Sequence, residues 1–152
     1  MISKQFHLVW NKFQINTTSF FKEMREDQDF TDVTLCCEEN KQIMAHKAIL
    51  AASSPFFKTM LKQNNHPQPI IYLRDVKSQY LEYLIDFVYQ GEINILEEEL
   101  EEFLALAEDL EVKGLGSLDT EVKEDIEKLK NNKNISEKTM KTISNMRSRL
   151  NL

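Results

Sequence analysis

Residues 30–57, FTDVTLCCEENKQIMAHKAILAASSPFF, decide the fold. Phe30 to Cys37 is rich in β-branched residues (Thr31, Val33, Thr34) with Leu35 among them, and reads as a strand. Glu38-Glu39-Asn40-Lys41 is a polar turn, and Gln42 to Ala45 returns as the second strand of a hairpin. His46 to Ala52 then reads as a short, mostly apolar helix. Ser54 followed by Pro55 marks the next helix start: a serine oxygen can accept an orphan amide, and proline at the first helical position loses nothing by lacking one. That helix carries Phe56, Phe57, Met60 and Leu61 on one side.

Upstream, Phe6, Leu8 and Trp10 alternate with His7 and Val9, the period of a short strand. Phe13, Phe20, Phe21 and Met24 mark an amphipathic helix that Asp27-Gln28-Asp29 ends. Downstream, Ile70 to Leu73 is a short apolar strand after a loop, 63–69, with two prolines. A helix is capped between Asp75 and Ser78, carries Leu81, Leu84, Ile85 and Val88, and stops at Gly91. Ile93 to Leu96 reads as a brief strand. Glu97 to Leu110 is a strong helix with a stripe of Leu100, Phe103, Leu104, Ala107 and Leu110. The pattern predicts an α+β domain over residues 6–115, with a small mixed sheet flanked by helices. Gly114 and Gly116 mark its boundary. Two helices with thin apolar stripes follow in a helical extension or linker over 117–152, and alone they would be marginal.

The 152 residues are 41% hydrophobic and 29% charged, an ordinary globular balance. No apolar run approaches the ~20 residues of a membrane span, and the N-terminus lacks a signal-peptide pattern, so an intracellular protein is expected. The net charge of −6 is unevenly spread: residues 1–91 are neutral, 92–127 carry −12 and 128–152 carry +6. With no dominant basic face and no aromatics among the last basic residues, direct nucleic-acid binding is not expected. Cys36 and Cys37 are adjacent, so bridging them would be strained, and they read as small strand hydrophobes. His7, His46 and His66 show no metal-ligand spacing. Glycines at 91, 114 and 116 alone exclude a phosphate-binding loop, and no nucleophile elbow is present. His46 reads as a packed, hydrogen-bonded structural histidine rather than a general base. No enzyme, cofactor or metal is expected.

Several motifs in one register resemble the core of the BTB/POZ domain: 30–35, 45–57, 84–92 and the helix from Leu104 to Leu110 ending in Val112-Lys113-Gly114-Leu115. Phe6-His7-Leu8-Val9-Trp10-Asn11, followed by Phe13, is similar to the N-terminal extension of the insect Tramtrack-type group. The resemblance implies a BTB/POZ fold with an extra N-terminal strand, homodimerisation or higher self-assembly, and a place in nuclear transcription or chromatin regulators. Here the chain departs from the usual arrangement in carrying no zinc finger. Dimers of the family exchange the N-terminal segment. An interface of Phe6, Leu8, Val9, Trp10, Phe13, Phe20, Phe21 and Met24 is therefore expected, the alternative being that these side chains pack within one chain. Asp32 and Lys47 match a charged pocket near the dimer axis. The alternative, read locally, is that Asp32 caps the strand start and Lys47 is a solvated helix residue. Implied partners are a second copy, other BTB proteins or co-regulators. A different role within the family is substrate adaptor for a cullin-type ubiquitin ligase, using the helix from Pro55 and the loop 63–69.

Overall fold

The computed structural model describes Met1 and residues 3–115; the helical extension expected over 117–152 lies outside them. Eight regular elements run in the order α1 (Phe13–Asp27), β1 (Val33–Cys36), β2 (Gln42–Ala45), α2 (Lys47–Ser53), α3 (Pro55–Gln63), β3 (Ile70–Tyr72), α4 (Ser78–Gln90) and α5 (Glu97–Asp109), with a short 3-10 turn at Glu38–Asn40 closing the hairpin.

The sheet has the order β2-β1-β3, β1 antiparallel to β2 and parallel to β3. Registers Leu35↔Ile43 and Leu35↔Ile71 put these residues on one face, and with Val33 and Ala45 they are buried. The alternate positions Met44, Ile70 and Tyr72 face outward and are exposed. The buried face is covered by Ile49 and Leu50 of α2, Phe57 of α3, Leu81, Leu84, Ile85 and Tyr89 of α4, and Phe103 and Ala107 of α5, in one continuous core.

The α2–α3 junction is where the predicted cap acts. Ser54 Oγ accepts from Phe57 N at 3.1 Å and donates to the Leu110 carbonyl at 2.5 Å, while Lys113 N donates to the Ser53 carbonyl at 2.8 Å. These bonds tie the end of the domain, where Leu110, Val112 and Leu115 are buried, to the start of α3. At the end of α4, Gly91 takes φ +80, a left-handed position glycine adopts without Cβ strain, and its amide reaches the Phe87 carbonyl at 2.7 Å.

Several details differ from the sequence reading. The first strand starts at Val33 rather than Phe30, which lies in a left-handed turn, and α4 starts without a side-chain cap, its N-cap position being Lys77. In α4 the fourth buried position is Tyr89 rather than Val88, which is half-buried. Tyr89 lies four residues after Ile85, on the same face. The strands expected over 6–10 and 93–96 do not form: neither stretch is helix or strand. A strand this short has no stability without a neighbouring strand, and within one chain the three-stranded sheet pairs neither of them.

Candidate self-association surface

The eight expected interface residues divide into two sets. Phe21 and Met24, on the inner side of α1, pack half-buried against the core of their own chain. Arg25 beside them places Nε 3.3 Å from Asp86 Oδ1 on α4, an ion pair in which the buried Nε makes no aligned hydrogen bond. These contacts seat α1. The other six face solvent: Phe6 is 83% exposed, Leu8 90%, Trp10 61% and Phe13 55%, with Val9 and Phe20 also exposed. Trp10 and Phe13 meet edge to face, ring centroids 5.3 Å apart, and Phe13 N donates to the Trp10 carbonyl at 3.1 Å, joining the N-terminal arm to the first turn of α1. So many large apolar groups left in water along one arm is a surface built to be covered.

At the end of α4 is a groove of about 410 Å³ lined by Tyr83, Asp86 and Gln90 of that helix and by Glu92, Ile93 and Asn94. It runs along the stretch expected to be the brief strand, and its Asp86 is the residue that holds Arg25.

Asp32 and Lys47 are brought together, but by the backbone. Asp32 Oδ1 accepts from the Lys47 amide at 2.7 Å, satisfying an orphan donor at the start of α2. The Lys47 ammonium instead donates to the His66 carbonyl at 2.7 Å. His46, the residue between strand and helix, is buried and hydrogen-bonded through both ring nitrogens, as the sequence suggested. Nε2 donates to the Asp29 carbonyl, so in the neutral ring Nδ1 accepts from the Tyr89 hydroxyl at 2.6 Å. That hydroxyl in turn accepts from His46 N at 2.9 Å. Burial pushes the Tyr89 phenol up to about 12, against smaller opposing effects of the His46 hydrogen bond and the Arg25 charge. The phenol therefore stays a donor. Tyr89 was not singled out in the sequence; the signal was a polar-tipped aromatic four residues after the buried Ile85. Burial likewise raises the Cys37 thiol above its usual range, and Cys36 and Cys37 are both free. Among the described residues, no cluster of histidine, cysteine or carboxylate side chains could hold a metal.

Comparison with known proteins bears on the same residues. The family model described as the BTB/POZ domain matches residues 21–125. The chain belongs to the BTB/POZ family. Within it, the relatives are those of the Tramtrack-type group. The Drosophila melanogaster "Longitudinals lacking protein-like" is 43% identical over 120 residues, covering 79% of this chain and 94% of that protein. "Protein abrupt" is 42% identical over 76% of this chain, and the alpha isoform of "Protein tramtrack" 41% identical over 82%. The matched region is only 13% and 15% of those two longer proteins. In three dimensions, the BTB domain of zebrafish PATZ1 superposes with a TM-score of 0.67 at 22% identity, covering 80% of this chain and 99% of that one, which shows the shared fold. BTB domains generally self-associate and bind other BTB proteins, and this chain is a protein-interaction domain of that family.

Proposed function

We propose that the chain is a non-catalytic self-association module, working as a homodimer or larger assembly of a nuclear transcription or chromatin regulator. The observation that carries this reading is the unpaired state of two strand-patterned segments, 6–10 and 93–96, in a chain whose arm exposes Phe6, Leu8, Trp10 and Phe13. In the dimer, residues 6–10 of one protomer pair with 93–96 of the other beside the groove on α4, by β-augmentation. Backbone bonds fix the register and the alternate apolar side chains leave water. The outer face of α1, with Phe13 and Phe20, packs across the two-fold axis, while Phe21 and Met24 hold that helix to its own domain. Asp32 and Lys47 sit at the edge of this contact as the family's charged pocket. An obligate dimer of this kind buries on the order of 2,000 Å². Joining copies raises the effective concentration of whatever modules they are linked to, which is the use of self-association to a regulator. The nuclear role rests on the Tramtrack-type kinship.

Solution mass tests the reading, measured by light scattering on the chain and on a version lacking residues 1–11. The expected result is a dimer or larger assembly that shrinks or weakens on truncation. A well-folded monomer in both cases would overturn it.

A further inference from the structure

Helix α5 turns two flanks of different character away from the core. On one, Glu99 meets Gln79 and Tyr83, and Glu102 meets Lys77 at 2.8 Å, so these carboxylates are engaged by α4 and its N-cap residue. The opposite flank is formed by positions 97, 100, 101, 104 and 108, which fall on one side at 3.6 residues per turn. Leu100 and Leu104 are half-buried there, and Glu97, Glu101 and Glu108 beside them are exposed. Leu96, one turn before Leu100, is 58% exposed, and neither it nor Leu100 belongs to the core cluster. Glu101 and Glu108 each take part in a polar or electrostatic interaction, so this row of carboxylates is not idle. A leucine row edged by carboxylates fits a segment that brings apolar side chains and positive charge together.

We propose that residues 136–152 of this same chain, which lie outside the described residues, dock on that flank of α5. Their sequence is its complement. Met140, Ile143, Met146 and Leu150 recur at helical spacing, and Lys138, Lys141, Arg147 and Arg149 stand against one acidic residue, Glu137. The place from which this stretch departs brings it within reach. Val112 N donates to the Ala107 carbonyl at 2.9 Å and Leu115 is buried, so the chain after residue 115 starts from the C-terminal end of α5. With 13 residues, α5 is about 20 Å long. The 20 residues 116–135 can span that distance more than once. Charge decides which stretch returns to the helix. Residues 116–127 carry five acidic side chains and one lysine and are repelled by α5, whereas 136–152 are attracted to it. Docking covers an apolar stripe too thin to hold a helix alone, and it sets the basic stretch of the chain against its own acidic helix. The stretch is thereby an intramolecular cover of α5, one that a competing basic amphipathic segment would displace.

Zero-length carbodiimide cross-linking tests this, because it joins a lysine amine to a carboxylate only where the two touch. The chain of residues 1–152 is used, as a mixture of isotope-labelled and unlabelled copies, so that links within one chain are told from links between copies. Lys138 or Lys141 is expected to join Glu97, Glu101 or Glu108 within one chain. Reversing charge by Glu101→Lys with Glu108→Lys, folding being checked by circular dichroism, should lower the yield at the retained Glu97 about fivefold or more. Adding Lys138→Glu and Lys141→Glu should restore links between the same positions, with amine and carboxylate exchanged. Links from Lys138 and Lys141 that fall only on the carboxylates of residues 119–127, or that reach α5 only between copies, overturn the proposal. So does a folded wild type without links to α5, or a yield at Glu97 that the charge reversal leaves unchanged.

Discussion

The N-terminal arm with α1 and the body of the domain each carry four phenylalanines, Phe30 lying in the turn between them, and use them in opposite ways. The body carries Phe56, Phe57, Phe87 and Phe103, of which Phe57 and Phe103 are 1% exposed and the other two half-buried. The arm with α1 carries Phe6, Phe13, Phe20 and Phe21, of which Phe21 packs against the core and the other three are exposed. In the body, apolar side chains are the driving force for folding. In the arm, the same side chains contribute little to the fold of one chain, and their free energy is left for association. The sharpest way to break this comparison is to truncate one ring in each region. Phe103→Ala should cost about 3–5 kcal/mol in chemical denaturation. Phe13→Ala should change folding by less than ~0.5 kcal/mol, measured below the concentration at which the chain dimerises, while weakening the dimer. Equal losses of folding stability in the two variants would mean that the arm is a structural part of the body.

The next largest effect separates the body's apolar core from the buried His46–Tyr89 pair. Tyr89→Phe leaves the His46 amide and Nδ1 without their shared partner and should cost about 1–3 kcal/mol. Its pH signature is specific. The folded phenol titrates near 12 against an ordinary value of 10, so its contribution is fully present below pH 10 and is lost as pH rises toward 12. Wild-type stability should therefore fall more steeply than that of Tyr89→Phe across that window, read as the difference between two denaturation series. Parallel curves would show that the phenol ionises as easily folded as unfolded.

Ser54→Ala comes third. The hydroxyl both caps α3 and donates to the Leu110 carbonyl, and replacing it should cost about 1–2 kcal/mol in thermal unfolding. The Ser-Pro start of α3 was legible because capping is local chemistry: a short side chain, a missing amide and an apolar run suffice. The hairpin, the four helices after it and the alternation of the sheet were legible for the same reason, being set by periods of two and of 3.6 residues. The failures lie where a segment's partner is distant. Residues 6–10 and 93–96 have strand patterning, but patterning states only that a strand can form and not that a neighbour is present in the same chain. The arm's aromatics were likewise visible as an amphipathic helix, yet nothing local distinguishes Phe20, which faces out, from Phe21, which faces the core. Phe30 patterns as the first residue of a strand, yet it takes a left-handed turn and β1 begins only at Val33, beside a backbone held by His46, sixteen positions further on, through the Asp29 carbonyl.

The smallest effect concerns Asp32 and Lys47, where the charged pocket implied by the family resemblance would put a large one. If the carboxylate depended on the ammonium, Lys47→Ala would strand a charge and be strongly destabilising. In the fold, however, Asp32 Oδ1 is held by the Lys47 backbone amide, which alanine keeps, and the ammonium is engaged elsewhere by the His66 carbonyl. Lys47→Ala should therefore change folding stability by less than ~0.5 kcal/mol. Asp32→Ala removes the acceptor at the start of α2 and should cost about 1 kcal/mol. The ordering is the informative part. Lys47→Ala costing more than Asp32→Ala in the dilute chain would mean that the charges act as a pair within one protomer. A Lys47→Ala variant that folds normally but dimerises poorly would place the lysine's charge at the contact between two copies, where the family resemblance puts its pocket.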